Sequence, residues 1–293
     1  MQGAQIIVLA TPVFLLLIAI EFVVGWARGR NTYRLNDALN SIGLGVMSQI
    51  AGVFTKAMTV GIYAIVYEHF AWLSLSEKSI AVWLGALLLY DLCYYWHHRL
   101  GHTCALFWAA HVVHHQSEDY NLSTALRQTS SGWLAGWIFY LPMAVLGVPT
   151  LVFAVVALID LLYQYWVHTQ QIGKLGWFDR WFCSPSNHRV HHAVNEKYLD
   201  KNYGGILIIW DKLFGTFEPE VRRIKYGLTK NISTYNPFRI AYHEYASIVG
   251  DVRSTKGLRH KLGHVFGRPG WTPPHPSPGH LTQADVDRGP GPT

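Results

Sequence analysis

The segment DLCYYWHHRLGHTCALFWAAHVVHHQSEDYN, residues 91–121, carries six histidines, and SPSNHRVHHAVNEKY, residues 184–198, carries three more. At about 100° per residue, side chains three and four apart share a helix face. His98 and His102 are four apart. His111, His114 and His115 stand at i, i+3 and i+4, and His188, His191 and His192 repeat that spacing. Each triplet is expected to present one face. His168, in DLLYQYWVHT, is the ninth candidate, with Asp160 and Gln164 on its stripe at intervals of four. His97 points away from His102, so His98 is the better ligand and His97 a neighbour.

Converging imidazoles without a metal would repel once protonated and would be costly to bury neutral and unpaired. Metal coordination is what aligned neutral imidazoles serve. A structural zinc site closes with four ligands and usually recruits cysteine. Nine imidazoles exceed two such sites and suit two ions of higher coordination number with room for oxygen or water. Iron is the redox metal that accepts imidazole in this way. The Glu-x-x-His motifs of soluble di-iron bundles are missing. A zinc hydrolase at a membrane surface is the redox-free alternative, and zinc can displace iron during purification because it binds such ligands more tightly. An acid at membrane depth needs a partner, so Asp160 or Gln164 is expected to orient His168 from behind. His69 and His243 read as satisfied core histidines, and His275 and His280 as solvated ones.

The elements that must position these groups are apolar runs. Half of the 293 residues are hydrophobic and 14% are charged. A soluble domain carries about 25% charged residues. Candidate spans are Ile6–Trp26, Ile42–Tyr67 and Ile80–Trp96, followed by an apolar region from Trp133 to Trp166. Pro142 and Pro149 make two shorter helices joined by a bend the expected form of that region. The expected fold is therefore an all-α integral membrane protein, a transmembrane helical bundle with a cytosol-facing histidine-rich di-metal site. Arg28, Arg30 and Arg34 after the first span place that end in the cytoplasm. Counting crossings then puts every histidine cluster on the same side.

Four regions follow. Residues 1–36 hold the first span and its basic loop, and 37–220 the catalytic part. Residues 221–266 form a cytosolic segment, and 267–293 a disordered Pro/Gly-rich tail. The net charge of +6 fits anionic headgroups, while scattered basic residues without a motif exclude nucleic acid as the partner. Cys93, Cys104 and Cys183 have no paired spacing and read as packing residues.

The order HxxxH, HxxHH, single His, HxxHH among membrane spans resembles the fatty acid hydroxylase/sterol desaturase superfamily of membrane di-iron enzymes. The flanks YYWHHRLGH, HHQSEDYNLSTALRQ, WVHT and SPSNHRVHHAVNEKYLDKNYGGILIIWDKLFGTFEPE extend the resemblance over roughly Asp37 to Glu220. It implies iron ligation by His98, His102, His111, His114, His115, His168, His188, His191 and His192. It also implies that Glu118 and Asn121, in SEDYN, lie beside the metals in a catalytic role. Two residues depart from the pattern: His97, where an aromatic is expected, and Asn187, where another histidine is often found.

The implied activity is O2-dependent hydroxylation of a lipid, with cleavage of an alkylglycerol ether bond as one form. The cofactors would be two Fe ions, with tetrahydrobiopterin as external reductant. A sterol or fatty acyl desaturase or hydroxylase would instead draw on a reductase or cytochrome. No GxGxxG signature or haem domain is present, so electrons come from outside the chain. The implied location is a bacterial inner membrane or the endoplasmic reticulum. From another class, a non-redox membrane metal-binding protein or transporter shares the histidines, but a transporter would place ligands near the bilayer midplane.

Overall fold

The computed structural model describes residues 3–274. In chain order the helices are α1 (Gly3–Ala27), α2 (Leu35–Phe70), α3 (Ile80–Thr103), α4 (Ala105–His115) and α5 (Leu122–Ala125). They continue with α6 (Leu141–Val145), α7 (Thr150–Trp166), α8 (Pro185–His191), α9 (Ile209–Leu213), α10 (Pro237–Ser254) and α11 (Leu258–Phe266). The described residues contain no strand; an antiparallel bridge joins Phe182 to Leu207. The described residues are all-helical, as the apolar patterning implies.

Among the described residues, Ala10–Ala27 of α1 and Leu35–Phe70 of α2 are the helical stretches long and apolar enough to cross a bilayer. Both turn apolar side chains outward. Leu16, Val23, Trp26, Ile50, Val53 and Phe54 are all more than half exposed, where water would penalise such a surface and lipid would not. Within α1 the acid Glu21 is buried. It accepts from Tyr33 Oη at 2.5 Å, from Leu122 N at 2.8 Å and from the Thr169 hydroxyl, tying the helix to the loops beneath the histidines.

The remaining expected spans are helical but shorter or packed inward. α3 buries Ala86, Tyr90 and Cys93 against Tyr63, Tyr140, Met143, Val148, Val152 and Val156 from α2, α6 and α7 and the turns beside them. Tyr63 stacks on Phe153 with centroids 3.9 Å apart and donates to Val148 O at 2.9 Å. The expected hairpin from Trp133 to Trp166 is less regular than two joined helices. Short 3-10 turns at Gly132–Leu134 and Gly136–Tyr140 precede the five-residue α6, and α7 alone is long. Proline accounts for the break, since Pro142 starts α6 and Pro149 caps α7. Between them Gly147 takes φ 92°, and a Cβ there would lie 1.9 Å from Leu73 O. Only glycine fits.

The turn between α3 and α4 sets the site. Cys104 adopts φ −127° and ψ 124°, which ends α3 just past His102 and starts α4 in a new direction. α4 then packs back against α3, and α10 covers its other side. Cys93, Cys104 and Cys183 are free and buried.

Residues 267–274, the first part of the segment expected as a disordered tail, make defined contacts. Gly267 O accepts from Ala105 N at 2.8 Å, and Trp271 packs on α11 so closely that a Cβ at Gly263 would meet its ring at 2.5 Å. The indole needs the bare glycine. The rest of the expected tail, with His275 and His280, lies outside the described residues.

Candidate metal centre

Each histidine motif sits at or near a helix end. His98 and His102 occupy the last turns of α3, and His111, His114 and His115 the last turns of α4. His168 follows α7 directly. α8 opens with Ser184 accepting from Asn187 N at 3.3 Å and with Pro185 in its first turn. Both residue types favour a helix start. The helix then ends on His188, His191 and His192.

The nine side chains converge as two groups: His98, His102, His111, His115 and His191, and His114, His168, His188 and His192. Within each group the donor atoms lie within 4.8 Å of one another. The triplets do not act as single faces, contrary to the helical reading. His111 and His115 go to the first group and His114 to the second, while His188 and His192 go to the second and His191 to the first. The reason is angular. Residues i and i+4 diverge by about 40°, but i+3 and i+4 by about 100°, which is enough to separate two neighbouring centres.

Four rings have a defined tautomer. His98 Nδ1 donates to Tyr203 O at 2.7 Å, His191 Nδ1 to Lys201 O at 3.1 Å, His114 Nδ1 to Arg127 O at 2.9 Å and His168 Nδ1 to Gln164 O at 2.8 Å. A carbonyl only accepts, so the proton is on Nδ1 and a neutral ring leaves Nε2 bare. Yet His114 Nε2 and His168 Nε2 stand 3.0 Å apart. Two lone pairs cannot share a hydrogen bond, and a cation between them resolves the contact. Two imidazole nitrogens each ~2.1 Å from one ion and at right angles stand ~3 Å apart. The other close pairs match: His168 to His188 at 3.0 Å, His98 to His111 and His111 to His115 at 3.1 Å, and His115 to His191 at 3.0 Å. His102 Nε2, His188 Nδ1 and His192 Nε2 are buried with no protein partner.

Charge agrees with geometry. Burial is the largest cause lowering the pKa of His111, His114, His115, His188, His191 and His192, and neighbouring imidazoles lower five of these further. For His114 the value falls to about 4. These rings are neutral at pH 7 and ready to ligate. The residues present fit two metal ions.

The polypeptide around the rings is held by buried charges that spacing did not single out. Arg127, 1% exposed, donates from Nε to Val113 O at 2.9 Å, from Nη2 to Gln116 Oε1 at 3.1 Å and from Nη1 to Ser41 Oγ at 3.2 Å. Arg189 reaches Glu220 Oε2 at 2.8 Å and the carbonyls of Thr169 and Ile172, locking α8 to the loop after His168. Asp211 accepts from Tyr203 N at 2.7 Å and Gly204 N at 2.8 Å. Asp91 accepts from Ile206 N, Leu207 N and Trp210 Nε1 at 2.7 to 3.0 Å. The signal in the sequence was a set of charges within apolar or aromatic stretches, RQ after STAL, and the acids of LLLYD and IIWD.

Of the four expected supporting or catalytic residues, Gln164 and Asp160 lie behind His168, while Glu118 and Asn121 lie away from the histidine groups. His168 uses the main-chain oxygen of Gln164, while the Gln164 side chain accepts from Tyr94 Oη at 2.6 Å and donates to Asp160 Oδ2 at 2.5 Å. Asp160 therefore stands behind Gln164 and does not meet the imidazole; its other oxygen has no protein partner. Glu118 turns to the surface, pairing with Arg34 at 3.4 Å and accepting from Asn231 Nδ2 at 2.6 Å. Asn121 caps α5, accepting from Ser123 N at 3.0 Å and donating to Thr32 O at 2.7 Å. Neither belongs to the histidine groups, because SEDYN leaves α4 after His115 and bends toward the loop between α1 and α2. Outside both groups too, His97 stacks on Phe139 and Asn187 donates to Asp179 O and Phe182 O.

Comparison with known proteins agrees with this arrangement. The fatty acid hydroxylase family matches residues 83–216, a range that includes all nine histidines. The alkylglycerol monooxygenase of Homo sapiens is 44% identical over 268 residues, 91% of this chain and 60% of that protein. That of Danio rerio is 41% identical over 278 residues, 94% of this chain and 62% of that protein. The ornithine lipid hydroxylase OlsE of Rhizobium tropici is 28% identical over 216 residues, 70% of this chain and 64% of that protein. The chain thus spans less than two thirds of the relatives it matches, and no solved structure gives a significant match. Helices, paired histidine groups and sequence likeness coincide over one stretch, residues 83–216, where this chain is similar to the fatty acid hydroxylase family.

Proposed function

We propose that this chain is a membrane di-iron monooxygenase that hydroxylates a lipid, with an alkylglycerol ether as substrate. The observation that carries the reading is the bare Nε2 contact of His114 and His168 at 3.0 Å within a stretch similar to this family. His98, His102, His111, His115 and His191 would hold one iron, and His114, His168, His188 and His192 the other. When bound, the irons supply reductive activation of O2: one oxygen atom enters a C–H bond, the other leaves as water, and two electrons and two protons come from an external donor.

The chain's own residues provide neutral ligands, orientation and a dry setting. Imidazoles add no negative charge, so the oxidised metals stay electrophilic. The carbonyls of Tyr203, Lys201, Arg127 and Gln164 fix four rings in the tautomer that ligation needs. Tyr120, fully buried, packs on His192 and His168 and shields the four-histidine group from solvent. An hydroxyl placed on the carbon beside an ether oxygen gives a hemiacetal, which breaks into an aldehyde and an alcohol. The same insertion elsewhere on a lipid gives a stable hydroxyl, as the name of the ornithine lipid hydroxylase implies for that relative.

The lipid arrives from the bilayer beside α1 and α2, and electrons arrive from the cytoplasm, from tetrahydrobiopterin, or from a reductase or cytochrome. Arg28, Arg30 and Arg34 support that orientation. Purified protein supplied with iron, a reductant and a 1-O-alkylglycerol should consume O2 and release a fatty aldehyde. Stable hydroxylated lipid without aldehyde would replace ether cleavage with simple hydroxylation, and no O2 uptake with any lipid would end the oxygenase reading.

A further inference from the structure

Three of the five rings in the first histidine group back onto one short turn. Lys201 O accepts from His191 Nδ1 at 3.1 Å and Tyr203 O from His98 Nδ1 at 2.7 Å. Beside those ligands, Asp200 Oδ1 faces His102 Nδ1 at 3.9 Å. The second group takes its supporting carbonyls elsewhere, from Arg127 and Gln164. The turn is therefore attached to one centre and not the other.

Its backbone is unusual. Asp200 has φ 58° and Asn202 φ 57°. Short polar side chains tolerate this left-handed region better than most. Such conformations persist where the surroundings over-determine them. Here Asn202, fully buried, donates from Nδ2 to Asn187 O at 3.0 Å and to Glu218 O at 2.8 Å, and accepts from Glu218 N at 2.8 Å. Asp211 holds Tyr203 N and Gly204 N from the other side. Two left-handed residues in alternation aim the Lys201 and Tyr203 carbonyls and the Asp200 carboxylate toward α3 and α8.

We propose that the Asp200–Tyr203 turn is the positioning element of the five-histidine centre, with Asp200 as the positioning residue for His102. This rests on the metal-centre reading above and adds to it that the two centres are supported separately. A metal-bound imidazole carries part of the ion's charge, and a carboxylate beside its far nitrogen stabilises the ring in that state. Arg268 Nη1, 3.5 Å from the second oxygen, restrains the carboxylate from the surface. Two of the three supports are main-chain atoms, which explains why no side-chain motif announces them.

The test uses the full chain in detergent, stripped of metal and titrated with Zn2+ against a chromophoric chelator, then with Co2+ to record ligand-field bands. Asp200→Asn keeps a residue at ease with positive φ and removes only the charge; Asp200→Gly keeps the backbone and removes the side chain. Both variants should retain one ion at wild-type affinity and bind the other about 10- to 100-fold more weakly. The retained ion serves as an internal measure of folding. His114→Ala should show the complementary pattern, with the Asp200-dependent ion unchanged. Wild-type affinity at both positions in the two Asp200 variants would overturn the proposal, and so would equal weakening at both. A wild-type chain that takes up no metal would instead overturn the metal-centre reading, and this proposal with it.

Discussion

His114 and His115 are neighbours in sequence and belong to different histidine groups, while His97 and His98 are neighbours of which only one belongs to a group. That contrast can be tested one residue at a time. His114→Ala should remove metal from the four-histidine group and abolish turnover, because the ring's Nε2 faces His168 with no proton available to bridge them. His97→Ala should keep most of both, since its ring only stacks on Phe139 and lies 3.4 Å from Tyr140 Oη. Metal content per chain in the two variants decides it; equal loss would mean that the first pair is misassigned. Gln164→Ala makes a finer distinction. It deletes the amide that reaches Asp160 but leaves the main-chain oxygen used by His168. Metal content should stay near wild type while stability falls by about 1–3 kcal/mol, the cost of stranding a buried acceptor. Paired metal analysis and thermal unfolding check it, and metal loss without destabilisation would restore a direct role for the side chain.

At the scale of elements, the helices were legible and their interruptions were only partly so. Apolar runs and prolines announce α1, α2, α3 and α7, because helix length and period are local properties. The break at Cys104 has no glycine or proline to mark it; the extended backbone there is imposed by packing α4 back onto α3. The nine histidines that converge were legible for the same local reason, but their division between two groups was not. Ligand partnership is set by which helices meet, which periodicity within one helix does not encode. Glu118 and Asn121 illustrate the limit from the other side, as proximity in sequence to His115 does not survive the bend into α5. Arg127 is the residue that joins these elements, linking the end of α4 to Ser41 of α2 while its own carbonyl orients His114. Arg127→Met keeps the apolar stem and loses the guanidinium with every side-chain donor. It would leave Asp37, 3.8 Å from the guanidinium, facing a vacated position. Stability should drop by about 3–5 kcal/mol, as for other buried charges stripped from their partners. Chemical denaturation with and without metal measures it, and a loss below about 1 kcal/mol would show that the guanidinium contributes little.

For the whole molecule, the histidine clusters act on stability as well as on chemistry. A folded chain without metal must keep many neutral rings buried with their lone pairs opposed, so bound metal should raise the unfolding temperature by mass action, with a dependence on free metal concentration. Acid acts on the same groups in the opposite direction. His114 falls from an ordinary value of 6.5 to about 4 in the folded protein, and the other α4 and α8 histidines are lowered too. Between those two pH values the unfolded chain takes up protons that the folded chain refuses. Stability therefore rises with pH in that window and is lost as pH drops through it. Above pH 6.5 both states leave His114 neutral, and its contribution is level. The buried histidines of metal-free protein should thus add no pH dependence to the unfolding temperature at and above neutrality, and should lower it from about pH 6.5 down to about pH 4. Loaded protein should hold its stability to lower pH, because protons must displace the ions before they reach the rings. Thermal unfolding across that range, run on stripped and loaded protein in the same detergent, gives both curves. If the stripped protein proved indifferent to pH between 4 and 6.5, the rings would be accepting protons while folded, and the close packing of nine neutral imidazoles could not stand.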